Sequence, residues 1–133
     1  MRERYARNNC KESLKPYELP NRPWERVGAD IFSYGNNSYL VMMDAYSNWL
    51  ELRSLRNKSA IEIVSKLKSI FSKFGCLDTL ICDNVSFNSF LMKQFAIDWN
   101  FEIVTRSPNY PRSNELVEKE VEIAKNIVKK SLE

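Results

Sequence analysis

Residues 26–55, RVGADIFSYGNNSYLVMMDAYSNWLELRSL, decide the fold. Three short runs suited to a pleated, half-buried surface stand in this stretch: Arg26 to Phe32, Ser38 to Met43 and Leu50 to Leu55. Gly35-Asn36-Asn37 supplies turn chemistry between the first two, and Ala45 to Asn48 separates the second from the third. Consecutive strands with such short connections fold back on each other, so the stretch predicts an antiparallel three-strand meander.

Downstream, the hydrophobic period changes. Ser59 and Glu62 form a capping-box pair, Ile63, Leu67, Ile70 and Phe74 recur at helical spacing, and Gly75 is placed to end the helix. Thr79 to Cys82 predicts a short buried strand, Phe90 to Trp99 a second helix and Glu102 to Thr105 a fifth strand, with Ser107 to Pro111 as a proline-bounded loop. Strands that each follow a helix are expected to join the sheet in parallel. The last segment, Asn114 to about Lys130, is amphipathic: Val117, Val121, Ala124 and Val128 form one stripe, flanked by Leu116, Ile123 and Ile127. Glu115, Glu118, Glu122, Lys125 and Lys129 line its other side, either exposed or facing a cleft. The order β-β-β-α-β-α-β-α describes an α/β domain whose five-stranded mixed sheet carries flanking helices, the order of the RNase H-like fold.

With 133 residues, 44% of them hydrophobic, the chain can bury one core and no more. Residues 1–24 are polar, with two prolines at their end, and are expected to form an extended basic lead-in arm ahead of a core at 25–133. Residues 1–26 carry seven basic and four acidic side chains, whereas residues 27–133 hold thirteen of each. The core therefore has no strong overall field for nucleic acid, and contact with DNA would need a local patch or the arm. There is no histidine, and Cys10, Cys76 and Cys82 form no C-x-x-C pair, which argues against structural zinc. No apolar run reaches 18 residues, so no membrane partner and an intracellular location are expected.

Three carboxylates stand apart from this frame. Asp30 interrupts the apolar strand V-G-A-D-I-F, where an isolated charge is costly without a partner or a metal. Asp83 directly follows T-L-I-C, at the carboxyl end of a strand, where open α/β sheets place their ligands. Glu118 lies one turn into the last helix. If the first and fourth strands are neighbours, these oxygens converge into a site suited to Mg²⁺ or Mn²⁺. Such a site serves phosphoryl transfer without a side-chain nucleophile, and the lack of histidine removes Ser-His and Cys-His schemes. Taken singly, Asp83 reads equally as a turn residue and Glu118 as part of a solvated helix face. Asp44, at another strand end, reads as structural. Trp49, Phe71, Phe95, Trp99, Met42 and Met43 read as core, and Trp24 as the anchor of the arm.

In the order in which they occur, R-P-W-E-R-V-G-A-D-I-F, Y-L-V-M-M-D-A-Y-S-N-W, F-G-C-L-D-T-L-I-C-D-N and S-P-N-Y-P-R-S-N-E-L-V-E-K resemble the signatures of the integrases of gypsy-type LTR retrotransposons and their retroviral relatives. The resemblance runs from about Asn9 to the end. It implies an integrase catalytic core in which Asp30, Asp83 and Glu118 are the D,D,E triad. Its implied activity is 3′-end processing and strand transfer of element DNA with two Mg²⁺ or Mn²⁺ ions. DNA at the element ends and target is the implied partner, a dimer or higher multimer the implied assembly, and the nucleus the implied place of action. Lys125, about two turns or ~10 Å beyond Glu118, is a candidate phosphate contact, with Lys119 and Lys129 behind it. The arm resembles the tail of a lost zinc module, and the core is expected to be incomplete at its C-terminal end.

Departures from the family pattern are local. D-N-V stands where D-N-G is usual, Glu115 replaces a glycine and offers a rival ligand, and the 34 residues between Asp83 and Glu118 are one short of the family's spacing. These changes sustain an alternative, a catalytically decayed or domesticated remnant that serves as a nucleic-acid or protein binding module. An RNase H-type nuclease explains the acids but not the R-P-W-E-R and S-P-N-Y-P-R-S-N stretches.

Overall fold

The computed structural model describes residues 20–82, 85–105 and 112–133. Most of the expected arm, Asp83, and the loop from Ser107 to Pro111 lie outside the described residues. In chain order the elements are β1 (Arg26–Tyr34), β2 (Asn37–Asp44), β3 (Leu50–Leu55), α1 (Ala60–Phe74), β4 (Thr79–Ile81), a 3₁₀ turn (Val85–Asn88), α2 (Phe90–Trp99), β5 (Glu102–Val104) and α3 (Arg112–Ser131).

The five strands form one sheet in the order β3-β2-β1-β4-β5. β1 pairs antiparallel with β2, and β2 with β3, which is the expected meander. The β1-β2 hairpin turns on Gly35, whose φ of 62° satisfies the positive φ that a two-residue hairpin turn needs at its first central position. β4 joins β1 in parallel, and β5 joins β4 in parallel. This makes β1 the central strand, and both of its faces are covered. Val27, Ala29 and Ile31 belong to a core beneath α1 and α2, while Phe32 belongs to a second core beneath α3. A strand buried on both faces reads as a near-continuous apolar run, and that is why an aspartate within it stands out.

Helix α1 begins and ends where its sequence predicts. Ser59 Oγ accepts the Glu62 N–H at 3.3 Å, and Gly75, at φ 89°, donates its N–H to Phe71 O. Ile63, Val64, Leu67, Ile70 and Phe71 are buried on the face that meets the sheet. The capping box is closed only on one side. Glu62 does not reach back to Ser59; its Oε2 accepts the Arg56 N–H at 2.9 Å and its Oε1 accepts Arg56 Nη2 at 3.3 Å. It thus ties the chain leaving β3 to the first turn of α1. The backbone hydrogen bond from Arg56 is the main reason the Glu62 carboxyl is held below its ordinary value of 4.5.

Trp24 anchors the entry to β1 as its sequence suggests. Its backbone N–H donates to Asp44 Oδ1 at 2.9 Å, its indole Nε1 donates to Gly75 O at 2.8 Å, and its ring lies 5.2 Å from that of Phe74. Asp44 is structural, since its carboxylate also accepts the N–H groups of Tyr46 and Ser47 and the Ser47 hydroxyl. Two aromatics expected in the core are not buried there. Trp49 is 55% exposed because it precedes the edge strand β3, where its Nε1 donates to Glu51 Oε2, and Trp99 closes α2 at 39% exposure. Phe71, Phe95 and Phe101 supply the aromatic packing instead, with ring centroids 5.5–5.9 Å apart.

A carboxyl whose folded pKa is depressed adds stability that is full above the unfolded value and is lost as pH falls through the folded one. Thermal melting between pH 5 and pH 3 is therefore expected to show a stability loss to which Glu62 contributes, and Glu62→Gln is expected to flatten it. An identical pH profile for the two proteins would show that the Arg56 contacts do not form.

Candidate metal centre

The site lies on the α3 face of β1. Side chains alternate along a strand, so Gly28, Asp30 and Phe32 point to this face. Gly28 sets the distance to the helix. A Cβ at this position would lie 2.4 Å from Val121 Cγ2 and 2.7 Å from Val117 Cγ1, closer than any van der Waals contact allows. Only glycine lets α3 settle this near β1. Val117 and Val121 are buried in that contact, and Glu118, between them in sequence, is half-buried beside the strand.

A second contact fixes where α3 begins. Arg26, the first residue of β1, is buried at 8% exposure, and its Nη2 donates to Ser113 Oγ at 3.0 Å and to Asn114 Oδ1. Ser113 and Asn114 are themselves buried at 5% and 4%. A guanidinium directed at two neutral side chains in the first turn of α3 fixes the helix start relative to the strand that carries Asp30. In the sequence Arg26 counts only as one of several basic residues near the arm. A charged residue opening an otherwise buried strand was the available signal.

Asp30 and Glu118 line one small cleft of about 30 Å³, together with Ala29, Ile81, Val121 and Glu122, which is room for a water-sized species. Asp30 Oδ1 accepts the Ile31 N–H at 2.8 Å, so the carboxylate is oriented by its own strand. Asp30 Oδ2 accepts Lys125 Nζ at 2.8 Å, and the same ammonium lies 2.9 Å from Glu122 Oε1. Both Lys125 and Asp30 are 15% exposed at the side chain. Burial alone would lower the Lys125 pKa, but its hydrogen bonds to Asp30 and Glu122 and their charges outweigh it and hold the ammonium above its ordinary value.

The β1-β4 register ends at Gly28 opposite Ile81, each two residues before an aspartate of the expected triad. Asp83 itself lies outside the described residues. Among the described residues, no three His, Cys, Asp or Glu side chains gather closely enough to enclose a metal ion by themselves. Asp30 and Glu118 thus bring two carboxylates to the cleft, and the Lys125 ammonium rests on Asp30.

Glu115, considered as a rival ligand, is exposed in the first turn of α3 and does not line the cleft. Glu122 does, one turn beyond Glu118. Of the three candidate phosphate-binding lysines, Lys125 is the one whose ammonium reaches a carboxylate of the cleft, Asp30. Lys129 Nζ lies 5.6 Å from the centre of the Phe32 ring, and Lys119 is exposed.

No protein-family profile matches the chain. It is 33% identical, over 133 aligned residues, to the Uncharacterized protein K02A2.6 of Caenorhabditis elegans, covering 92% of this chain and 10% of that protein. To the Gag-Pol polyprotein of Koala retrovirus it is 30% identical over 92 residues, covering 65% of this chain and 5% of the polyprotein. The chain therefore spans a tenth or less of the length of these relatives. In fold it is similar to the catalytic core domain of BIV integrase, with a TM-score of 0.61 at 15% identity over 73% of this chain and 64% of that one. The HTLV-2 integrase catalytic core domain in complex with magnesium (dimeric form) gives a TM-score of 0.60 at 17% identity, over 74% and 83%. A chain of the simian T-cell lymphotropic virus intasome in complex with PP2A regulatory subunit B56 gamma gives 0.65 at 21% identity, over 92% and 47%.

Gly28→Ala is expected to push α3 off the strand. Valine side chains in a helix have one strongly preferred rotamer, so the two methyl groups in the way cannot simply turn aside. A loss of about 1–3 kcal/mol in unfolding free energy is expected, as for other overpacked cores. Chemical denaturation measures it, and a variant as stable as the unaltered chain would contradict the close approach.

Proposed function

We propose that this chain, similar in fold to integrase catalytic cores and in sequence to part of a retroviral Gag-Pol polyprotein, is a polynucleotidyl transferase domain acting on DNA. In this reading Asp30, Asp83 and Glu118 hold Mg²⁺ or Mn²⁺. The observation that carries it is the meeting of Asp30, from the middle of a buried strand, and Glu118, from the last helix, in one cleft where Asp30 already accepts a cationic group. A carboxylate placed at the centre of a two-sided sheet is costly unless a positive charge accompanies it. All-oxygen donors of this kind suit hard divalent ions.

When bound, a pair of such ions would stabilise the attacking and leaving oxygens of an in-line phosphoryl displacement. The chain's own residues set the stage for that chemistry. The Ile31 N–H holds one Asp30 oxygen, which leaves the carboxylate in a single orientation. The Gly28 contact and the Arg26 clamp hold Glu118 against the same cleft. Lys125 brings a positive charge beside the carboxylates, where a phosphate of the substrate would lie, and Lys119 and Lys129 are weaker candidates on the same helix. The activity on DNA, the assembly into dimers or larger multimers and a nuclear place of action belong to this proposal. Related cores described as dimeric, or as part of an intasome, support the multimer.

The alternative, a remnant that binds nucleic acid or protein without turnover, keeps the fold and loses the reaction. Mn²⁺-dependent disintegration of a branched DNA substrate separates the two and asks little of any other domain. The proposal expects strand release that falls by about a hundredfold or more in Glu118→Gln, on the order of the loss of one electrostatic stabiliser. Release that is unchanged by this substitution would show that Glu118 is not part of the site, and no release from the unaltered chain would favour the remnant.

A further inference from the structure

The ammonium on Asp30 is held in a way that bears on how a metal ion would enter. Lys125 Nζ sits between Asp30 Oδ2, at 2.8 Å, and Glu122 Oε1, at 2.9 Å. The two anchors differ. Asp30 belongs to the central strand and is 15% exposed, whereas Glu122 is on the same helix as the lysine, three residues away, and is 57% exposed. The pairing with Glu122 needs no other element of the fold, so it can persist while the contact to Asp30 is given up. A flexible four-carbon stem allows that small swing. A divalent ion drawn to Asp30 meets this resident positive charge within a few ångströms, in a cleft partly withdrawn from water, where like charges repel strongly.

We propose that Lys125 is an internal counter-cation that competes with the divalent ion for Asp30, and that Glu122 is the second anchor that retains the ammonium when the ion takes its place. This rests on the reading that Asp30 is a metal ligand. It assigns Glu122 a role in the site as a positioning residue that acts through Lys125. It also gives the cleft an order of events. The lysine neutralises Asp30 in the free protein, and its charge becomes available to a phosphate only once Asp30 is occupied.

Mn²⁺ titrated calorimetrically into the full chain tests the proposal without reference to turnover. Lys125→Met removes the competitor and leaves the carboxylates, so the apparent Kd for Mn²⁺ is expected to fall by about tenfold, the scale on which a nearby charge acts in such a site. Glu122→Gln leaves Asp30 as the ammonium's only charged anchor of the two and removes one negative charge, so the Kd is expected to rise. Lys125→Gln repeats the first arm with a polar side chain, and circular dichroism melting confirms that each variant folds. A Kd for both Lys125 variants equal to or weaker than that of the unaltered chain overturns the proposal. Asp30→Asn keeps the two levels apart. If it abolishes Mn²⁺ binding while the Lys125 variants show no tightening, the counter-cation fails and the metal site stands. Binding that survives Asp30→Asn unchanged overturns both.

Discussion

The geometry of the cleft depends on how closely α3 approaches β1, and that distance is set by the missing side chain at Gly28. A single methyl group there would overlap Val117 and Val121, the two residues that flank Glu118 on the buried side of the helix. Because Gly28 and Asp30 share one face of the strand, the contact that seats the helix also determines what Asp30 meets. Arg26, two residues earlier and also on that face, reaches Ser113 and Asn114 at the start of α3. Three alternate positions of one strand thus fix the start of a helix, its distance and its charged partner. Glycine inside a strand weakens it locally, and here that weakness is exchanged for close approach of a helix.

The same face explains how an aspartate is tolerated in the central strand. Asp30 is not left to bear its charge alone: one oxygen is bound by the adjacent backbone N–H and the other by Lys125. Removing one partner of such a pair leaves an uncompensated charge in a poorly solvated place, which costs more than the pair contributes. A cation beside Asp30 therefore favours the folded cleft, and the chain supplies one as Lys125. Glu122 extends the acidic set to the solvent side and gives the ammonium a second position.

Much of this was legible in the sequence because it depends on period and on local chemistry. β-rich runs and turn residues mark the three-strand meander, helical spacing marks α1 and α3, and a mid-strand aspartate marks the cleft. The pairing of Lys125 with Asp30 was not legible, since it joins positions 95 residues apart and depends on the rotation of α3 about its axis. In the sequence Glu122 is one more member of a charged stripe, although its spacing from Glu118 puts it one turn along on the same side. Trp49 departs from expectation for a similar reason: its size and hydrophobicity suggest burial, but it stands just before the edge strand of the sheet and remains 55% exposed. Arg26 carried only a faint signal, because a basic residue at a strand start usually points to solvent.

The central claim is that Asp30 and Glu118, seated by Gly28, form one side of a divalent-cation site. Anomalous diffraction from crystals grown with Mn²⁺ tests it most directly. The account predicts an anomalous peak about 2–2.2 Å from carboxylate oxygens of both Asp30 and Glu118, at the distance expected for oxygen ligands of a small divalent ion. A peak held by other residues, or a cleft still filled by the Lys125 ammonium at saturating Mn²⁺, would contradict it.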